Sequence, residues 1–187
     1  THADDQSVTS NDVMTTALID KAKQKATSGD QNVRHVMIGG AKKHVMYMSP
    51  DHVLQLRNNT TGNLWQEITK FQYSGTDVSK NPYYNGALGE WNGVILRQSQ
   101  DVTRGVNASP SAAAADTRRA VLLGAQAAAC AYGRKGDYKN SKYRWNEELL
   151  DHKRKLEVSA WQIWGLKKTK FNSVDYGTIV VTAYSVA

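Results

Sequence analysis

The chain has 187 residues, 40% of them hydrophobic and 22% charged, and a formal net charge of +7 at pH 7. That length buries a core in one generous domain or two small ones, and the composition disfavours both disorder and a membrane span. The basic excess permits contact with nucleic acid or another anionic surface, while the single cysteine, Cys130, rules out an internal disulfide framework and a cysteine-based zinc site.

The opening residues THADDQSVTSNDV are polar and acidic, so no signal peptide begins the chain, and Thr1 in place of Met suggests a start inside a longer product. Ser10 as a cap, an acidic residue in the first turn, and Val13, Met14, Ala17, Leu18 and Ala22 at helical spacing predict a helix that Gly29 stops. Lys21, Lys23 and Lys25 read as its solvated face. KHVMYMS predicts a short buried strand, and Ser49-Pro50-Asp51 a helix entry leading through Val53, Leu54 and Leu56. NNTTGN breaks that helix, and LWQEITKFQ gives Leu64, Trp65, Ile68 and Phe71 the spacing of another.

SGTDVSKNPYYNG is a turn-rich connection to GALGEWNGVILRQSQDV, where Asn-Gly at a tight turn precedes a β-branched strand. The run from Asp101 to Asp116 reads as a loop by composition. TRRAVLLGAQAAACAYG predicts a strand leading into a small-residue helix, with the alanines and Gly124 admitting a neighbouring backbone and Cys130 buried among them. RKGDYKNSKYR is basic and turn-like, and RKLEVSAWQIWGLKKTKF and YGTIVVTAYSV are two long strands joined by an NSVD loop. The first of these has apolar groups on both faces, which calls for cover on both sides.

Chemistry is sparse. The histidines His2, His35, His44, His52 and His152 form no metal-ligand pair at helical spacing; His44 and His52 flank a strand-to-helix turn, where packing is the simpler role. Glu147 and Glu148 are adjacent and point apart, so they are no acid/base pair. A nucleophile elbow and a Walker loop are absent, and the glycines of GALGEWNG have the wrong spacing for a dinucleotide fingerprint. No enzyme, metal or cofactor is expected. The basic clusters at Arg118-Arg119, Arg134-Lys135, Lys153-Arg154-Lys155 and Lys167-Lys168 suit phosphates and subunit contacts equally.

NPYYNGALGEWNGVILRQSQDV, AVLLGAQAAACAYG and WQIWGLKKTKFNSVDYGTIVVTAYS, in that order, resemble the major capsid proteins of coliphage N-four-like tailed phages, and YMSPDHVLQLRNNTTGNLWQEITKFQ resembles the segment before the glycine loop. The resemblance runs from about Met46 to the end and implies an α+β chain with the Hong Kong 97-type capsid fold. Carried over, residues 1–32 correspond to the spine-helix region of the peripheral domain, 33–150 to the axial domain, and 151–187 to strands returning to the peripheral domain. On this resemblance the N-terminal arm and extended loop of that fold, which normally precede the spine helix, are expected to lie outside the present sequence.

The implied function is structural: self-assembly into hexamers and pentamers of an icosahedral shell around a double-stranded DNA genome. The DNA contacts would be non-specific, and portal, scaffolding or decoration proteins are further partners; no membrane is involved. The implied location is the virion, assembled in the host bacterial cytoplasm. On this resemblance the subunit-interface candidates are Trp91, Val94, Leu96, Arg97, Trp65, Lys153 and Arg154. Two other readings stay open: a soluble nucleic-acid-binding protein, which the charge permits, and an encapsulin-like cellular shell, against which the basic pI argues mildly.

Overall fold

The computed structural model describes residues 5–29, 32–58, 88–106, 113–133 and 144–185. The chain divides into two units, Thr1–Ala127 with Lys170–Ala187 and, between them, residues 128–169.

In the first unit a single 3-10 turn, Asp5–Ser7, precedes helix α1, Thr16–Ser28. Helix α1 begins later than the sequence pattern predicts. The Asp12 carboxylate accepts from both the Thr9 N–H (2.8 Å) and the Thr9 hydroxyl (2.7 Å), which closes a separate turn ahead of the helix. Gly29 ends α1 as expected, its N–H donating to the Lys25 carbonyl at 3.1 Å. Strands β1 (Val36–Ile38) and β2 (Ala41–Met48) follow, then α2, Pro50–Asn58. Proline stands in its first turn, where its missing N–H costs nothing, and the Ser49 carbonyl accepts the Val53 N–H. The third predicted helix, through Trp65, lies outside the described residues.

Strands β3 (Glu90–Trp91) and β4 (Val94–Gln98) flank the Asn92-Gly93 turn. Both turn residues have positive φ, 45° and 73°, the signature that makes Asn-Gly the preferred hairpin pair. Strands β5 (Arg104–Val106) and β6 (Ala113–Leu123) come next and correct the expectation of a loop from Asp101 to Asp116 over 104–106 and 113–116; residues 101–103 are outside any strand, as expected, and 107–112 lie outside the described residues. Small and polar residues disfavour a strand locally, but β6 gains partners from three other strands of its sheet.

The second unit holds β7 (Ala128–Gly133), β8 (Arg144–Leu150), β9 (Lys155–Trp161) and β10 (Ile163–Lys168). Strand β7 replaces the predicted small-residue helix. Its six residues pair antiparallel with β10, from Ala128↔Lys168 to Gly133↔Ile163, and the ladder overrides the helix preference of alanine. Cys130 is accordingly exposed on a strand, not buried. The long strand expected around Trp161 is two strands, β9 and β10, separated at Gln162.

Back in the first unit, β11 (Lys170–Phe171) and β12 (Val174–Asp175) form a short hairpin across Asn172-Ser173, and β13 (Thr178–Tyr184) ends the described chain. The unit's sheet has the order β13-β6-β2-β4-β3, with β1 paired to β2 and β5 to β6. The pair β2 and β4 is parallel, so the chain between them must cross over, and α2 lies on that crossover.

One face of this sheet builds the core. Met46 is the register partner of Leu96 on one side and Leu122 on the other, and Leu122 is in turn opposite Ile179. All four are buried, and α1 adds Ile19, Ala22 and Ala26 while α2 adds Val53 and Leu56 to the same cluster. On the reverse face, Asp5 receives the Arg119 guanidinium and the Thr182 hydroxyl (2.7 Å), tying the first turn to β6 and β13. Gly124 meets the expectation of close backbone packing: a Cβ there would stand 2.4 Å from the Arg34 carbonyl oxygen.

Candidate subunit interface

The buried histidines are structural. His44 shares a 3.2 Å hydrogen bond between its Nε2 and the Val33 carbonyl oxygen, and His52 is wholly enclosed on α2. Among the described residues no group of three or more His, Cys, Asp or Glu is placed to hold a metal ion. No helix among them is long and apolar enough to cross a membrane.

The glycine-rich run has an intramolecular role. The Trp91 indole N–H donates to Asp20 Oδ1 at 3.0 Å, the Asn92 side-chain amide donates to the same oxygen at 2.9 Å, and Lys23 Nζ donates to Asn92 Oδ1 at 2.8 Å. The β3–β4 turn is thereby fastened to α1, and Trp91 packs against the core. Replacing Trp91 with phenylalanine keeps a six-membered aromatic ring but removes the five-membered ring and its N–H donor, leaving Asp20 one hydrogen bond short and the core contact reduced. A loss of about 1 kcal/mol is expected, read as a melting temperature lower by roughly 2–4 °C; an unchanged melt would show that the indole N–H contributes nothing.

Val94 and Leu96, named as interface candidates, are buried in the core of their own unit and offer a neighbour no surface. They alternate with Ile95 and exposed Arg97, as a strand half-covered on one face requires. Trp65 lies outside the described residues. Lys153 and Arg154 are exposed in the β8–β9 turn, where Asp151, His152 and Lys153 all adopt positive φ.

That turn caps the surface that sequence reasoning did not single out. Strands β8 and β9 pair from Arg144↔Trp161 to Leu150↔Lys155, so one face carries Trp145 with Ala160, Glu147 with Val158, and Leu149 with Leu156. The other carries Arg144 with Trp161, Asn146 with Ser159, Glu148 with Glu157, and Leu150 with Lys155. The Arg144 guanidinium carbon stands 4.7 Å from the Trp161 ring centroid, a cation–π contact. Strands β7 and β10 add a further apolar row, Tyr132 with Trp164 and Cys130 with Leu166. Trp145, Leu149, Leu156, Val158, Trp164 and Leu166 are all exposed. A row of large apolar groups left open to water marks a contact surface. The signal was available in the sequence as Trp145 and Leu149 at strand spacing, but only pairing with β9 places them beside Leu156.

The family model described as Phage capsid protein matches residues 1–187. Among solved structures the chain is similar to the capsid of Ralstonia phage GP4, with 29% identity and a TM-score of 0.67 over 97% of this chain and 50% of that one. It is similar in fold to the cyanophage Pam1 capsid asymmetric unit, with 21% identity and a TM-score of 0.69 over 96% and 49%. The capsid of Helicobacter pylori bacteriophage KHP30 shares the fold at 18% identity and a TM-score of 0.56, over 92% and 59%. The chain thus spans about half the length of the first two capsid chains it resembles. No curated protein matches it.

Proposed function

Because the chain belongs to the phage capsid protein family, we propose that it serves as a major capsid protein of a tailed bacteriophage, self-assembling into the icosahedral shell that encloses double-stranded DNA. The observation that carries this reading is the family match over the whole chain. The uncovered apolar rows of the second unit supply what assembly needs, surface whose burial between copies stabilises a shell. The role is structural, with no bond made or broken, and its location is the virion. The positive charge, +7, partly offsets packaged DNA through phosphate contacts that weaken with salt.

The Hong Kong 97-type arrangement and a kinship with coliphage N-four-like phages are the finer form of this proposal. In that arrangement the seven-stranded unit serves as the axial domain. Helix α1, expected to be the spine helix, has 13 residues, or about 20 Å of length, and packs into the core of this unit. Both features suit a layer of the axial domain better than a spine. The expected boundary between residues 150 and 151 falls at the turn joining β8 to β9.

The test is the light-scattering mass of the complete protein, purified from its native source in physiological salt. A narrow species of many megadaltons is expected. A monomer or small oligomer whose DNA binding falls steeply with salt would replace the capsid reading with that of a nucleic-acid-binding protein.

A further inference from the structure

We propose that the face of the β8–β9 hairpin bearing Trp145, Glu147, Leu149, Leu156 and Val158 is a docking surface for a second copy of this chain. The inference rests on the capsid reading and specifies where one subunit grips the next. Trp145 is 60% exposed, Leu149 56%, Leu156 57% and Val158 44%, so the apolar face has no cover of its own. A two-stranded ladder gains stability by laying such a face on something else.

Glu147 decides the chemistry of the occupant. It stands opposite Val158 in the middle rung of the apolar face and has no ion pair among the described residues. A purely apolar cover would bury an unpaired carboxylate, at high cost. The occupant must therefore bring a cation together with apolar surface. DNA is the wrong match: Glu147 and, one rung along on the reverse face, the opposed pair Glu148 and Glu157 would repel its phosphates.

A second copy supplies both requirements. Residues 128–169 carry ten lysines and arginines against five acidic residues, and Lys153 and Arg154 have no ion pair among the described residues. A neighbour's basic turn set against Glu147, with apolar rows meeting beside it, joins two different patches. Such a heterologous contact closes into rings when its rotation permits, which is the symmetry of a capsomer.

The complete protein carrying Leu149→Ser with Leu156→Ser tests this, beside a reverse-face control of Asn146→Ala with Ser159→Ala. Particle yield by sedimentation is expected to fall at least about tenfold for the first pair, with the melting temperature of the unassembled subunit unchanged and the control assembling like the parent. Normal particle yield from the first pair would overturn the inference while the parent's assembly upheld the capsid reading. A lower melt of the unassembled subunit would place the cover within the same molecule, and intact shells that had lost only their DNA would assign the face to nucleic acid; either overturns it. A parent that forms no particles would remove the capsid reading and this inference with it.

Discussion

Met46→Ala is expected to destabilise the seven-stranded unit by about 2–5 kcal/mol, the range for truncating a large buried side chain. Met46 is 0% exposed, sits on a strand with neighbours on both sides, and lies between Leu96 and Leu122 in register. The partners are fixed by their own ladders, so they relax poorly into the space left behind, and the cavity adds to the lost transfer energy. At roughly 2–4 °C per kcal/mol for a chain of this size, the melt drops by at least about 4 °C. Met46→Leu, nearly equal in volume, is expected to cost less than about 1.5 kcal/mol. Val180→Ala, on the exposed face of the edge strand β13 at 52% exposure, is the control and should stay within about 0.5 kcal/mol. Equal melts for Met46→Ala and Val180→Ala would contradict the packing described.

The second large effect is on pH dependence. His52 is fully buried, and burial holds its pKa below the ordinary value of 6.5; the Ala183 backbone and Asp51 oppose that shift, while Arg118 adds to it. Neither ring nitrogen has a partner in hydrogen-bonding geometry, the Ala183 carbonyl being near without meeting it. The unfolded chain therefore binds a proton at His52 before the folded chain does. Its contribution to stability is complete above pH 6.5 and is lost as pH falls from there through the folded pKa. Melting temperatures measured from pH 7.5 down to pH 5 should fall more for the parent than for His52→Leu, whose core cannot take up that proton. At pH 7.5 the variant should be more stable, by about 1 kcal/mol, because it removes buried nitrogens that lack partners. Parallel pH curves for parent and variant would show that His52 does not set the acid response.

The elements readable from sequence were those decided by neighbours in the chain. Asn92-Gly93 specified its turn, Ser49-Pro50 specified the start of α2, and the short apolar run of KHVMYMS specified β2. The elements misread were decided by distant partners. Ala128 to Gly133 favours a helix until Ile163 to Lys168 comes alongside, and Arg104 to Val106 reads as loop until β6 does. The residues that the resemblance marked for an interface also depend on distant partners: Val94 and Leu96 are buried in the core of their own unit, and half-buried Trp91 donates to Asp20, 71 residues away. Trp145 and Leu149 were passed over because their strand is polar at Asn146, Glu147 and Glu148, and its apolar face is completed only by β9.

The pairing of β7 with β10 also bears on how the sheet is reached during folding. Strands β6 and β13 must meet across everything from Leu123 to Thr178, and most of that separation is the 128–169 insertion. Once Ala128 and Lys168 are paired, the insertion no longer counts as free chain, and the closure that remains is a short one. By loop-length scaling this lowers the entropic barrier to joining β6 and β13 by about 1 kcal/mol. Residues inserted or deleted at the far end of the hairpin leave that shortcut intact, so changes of length there are expected to leave the rate at which β6 joins β13 unaltered.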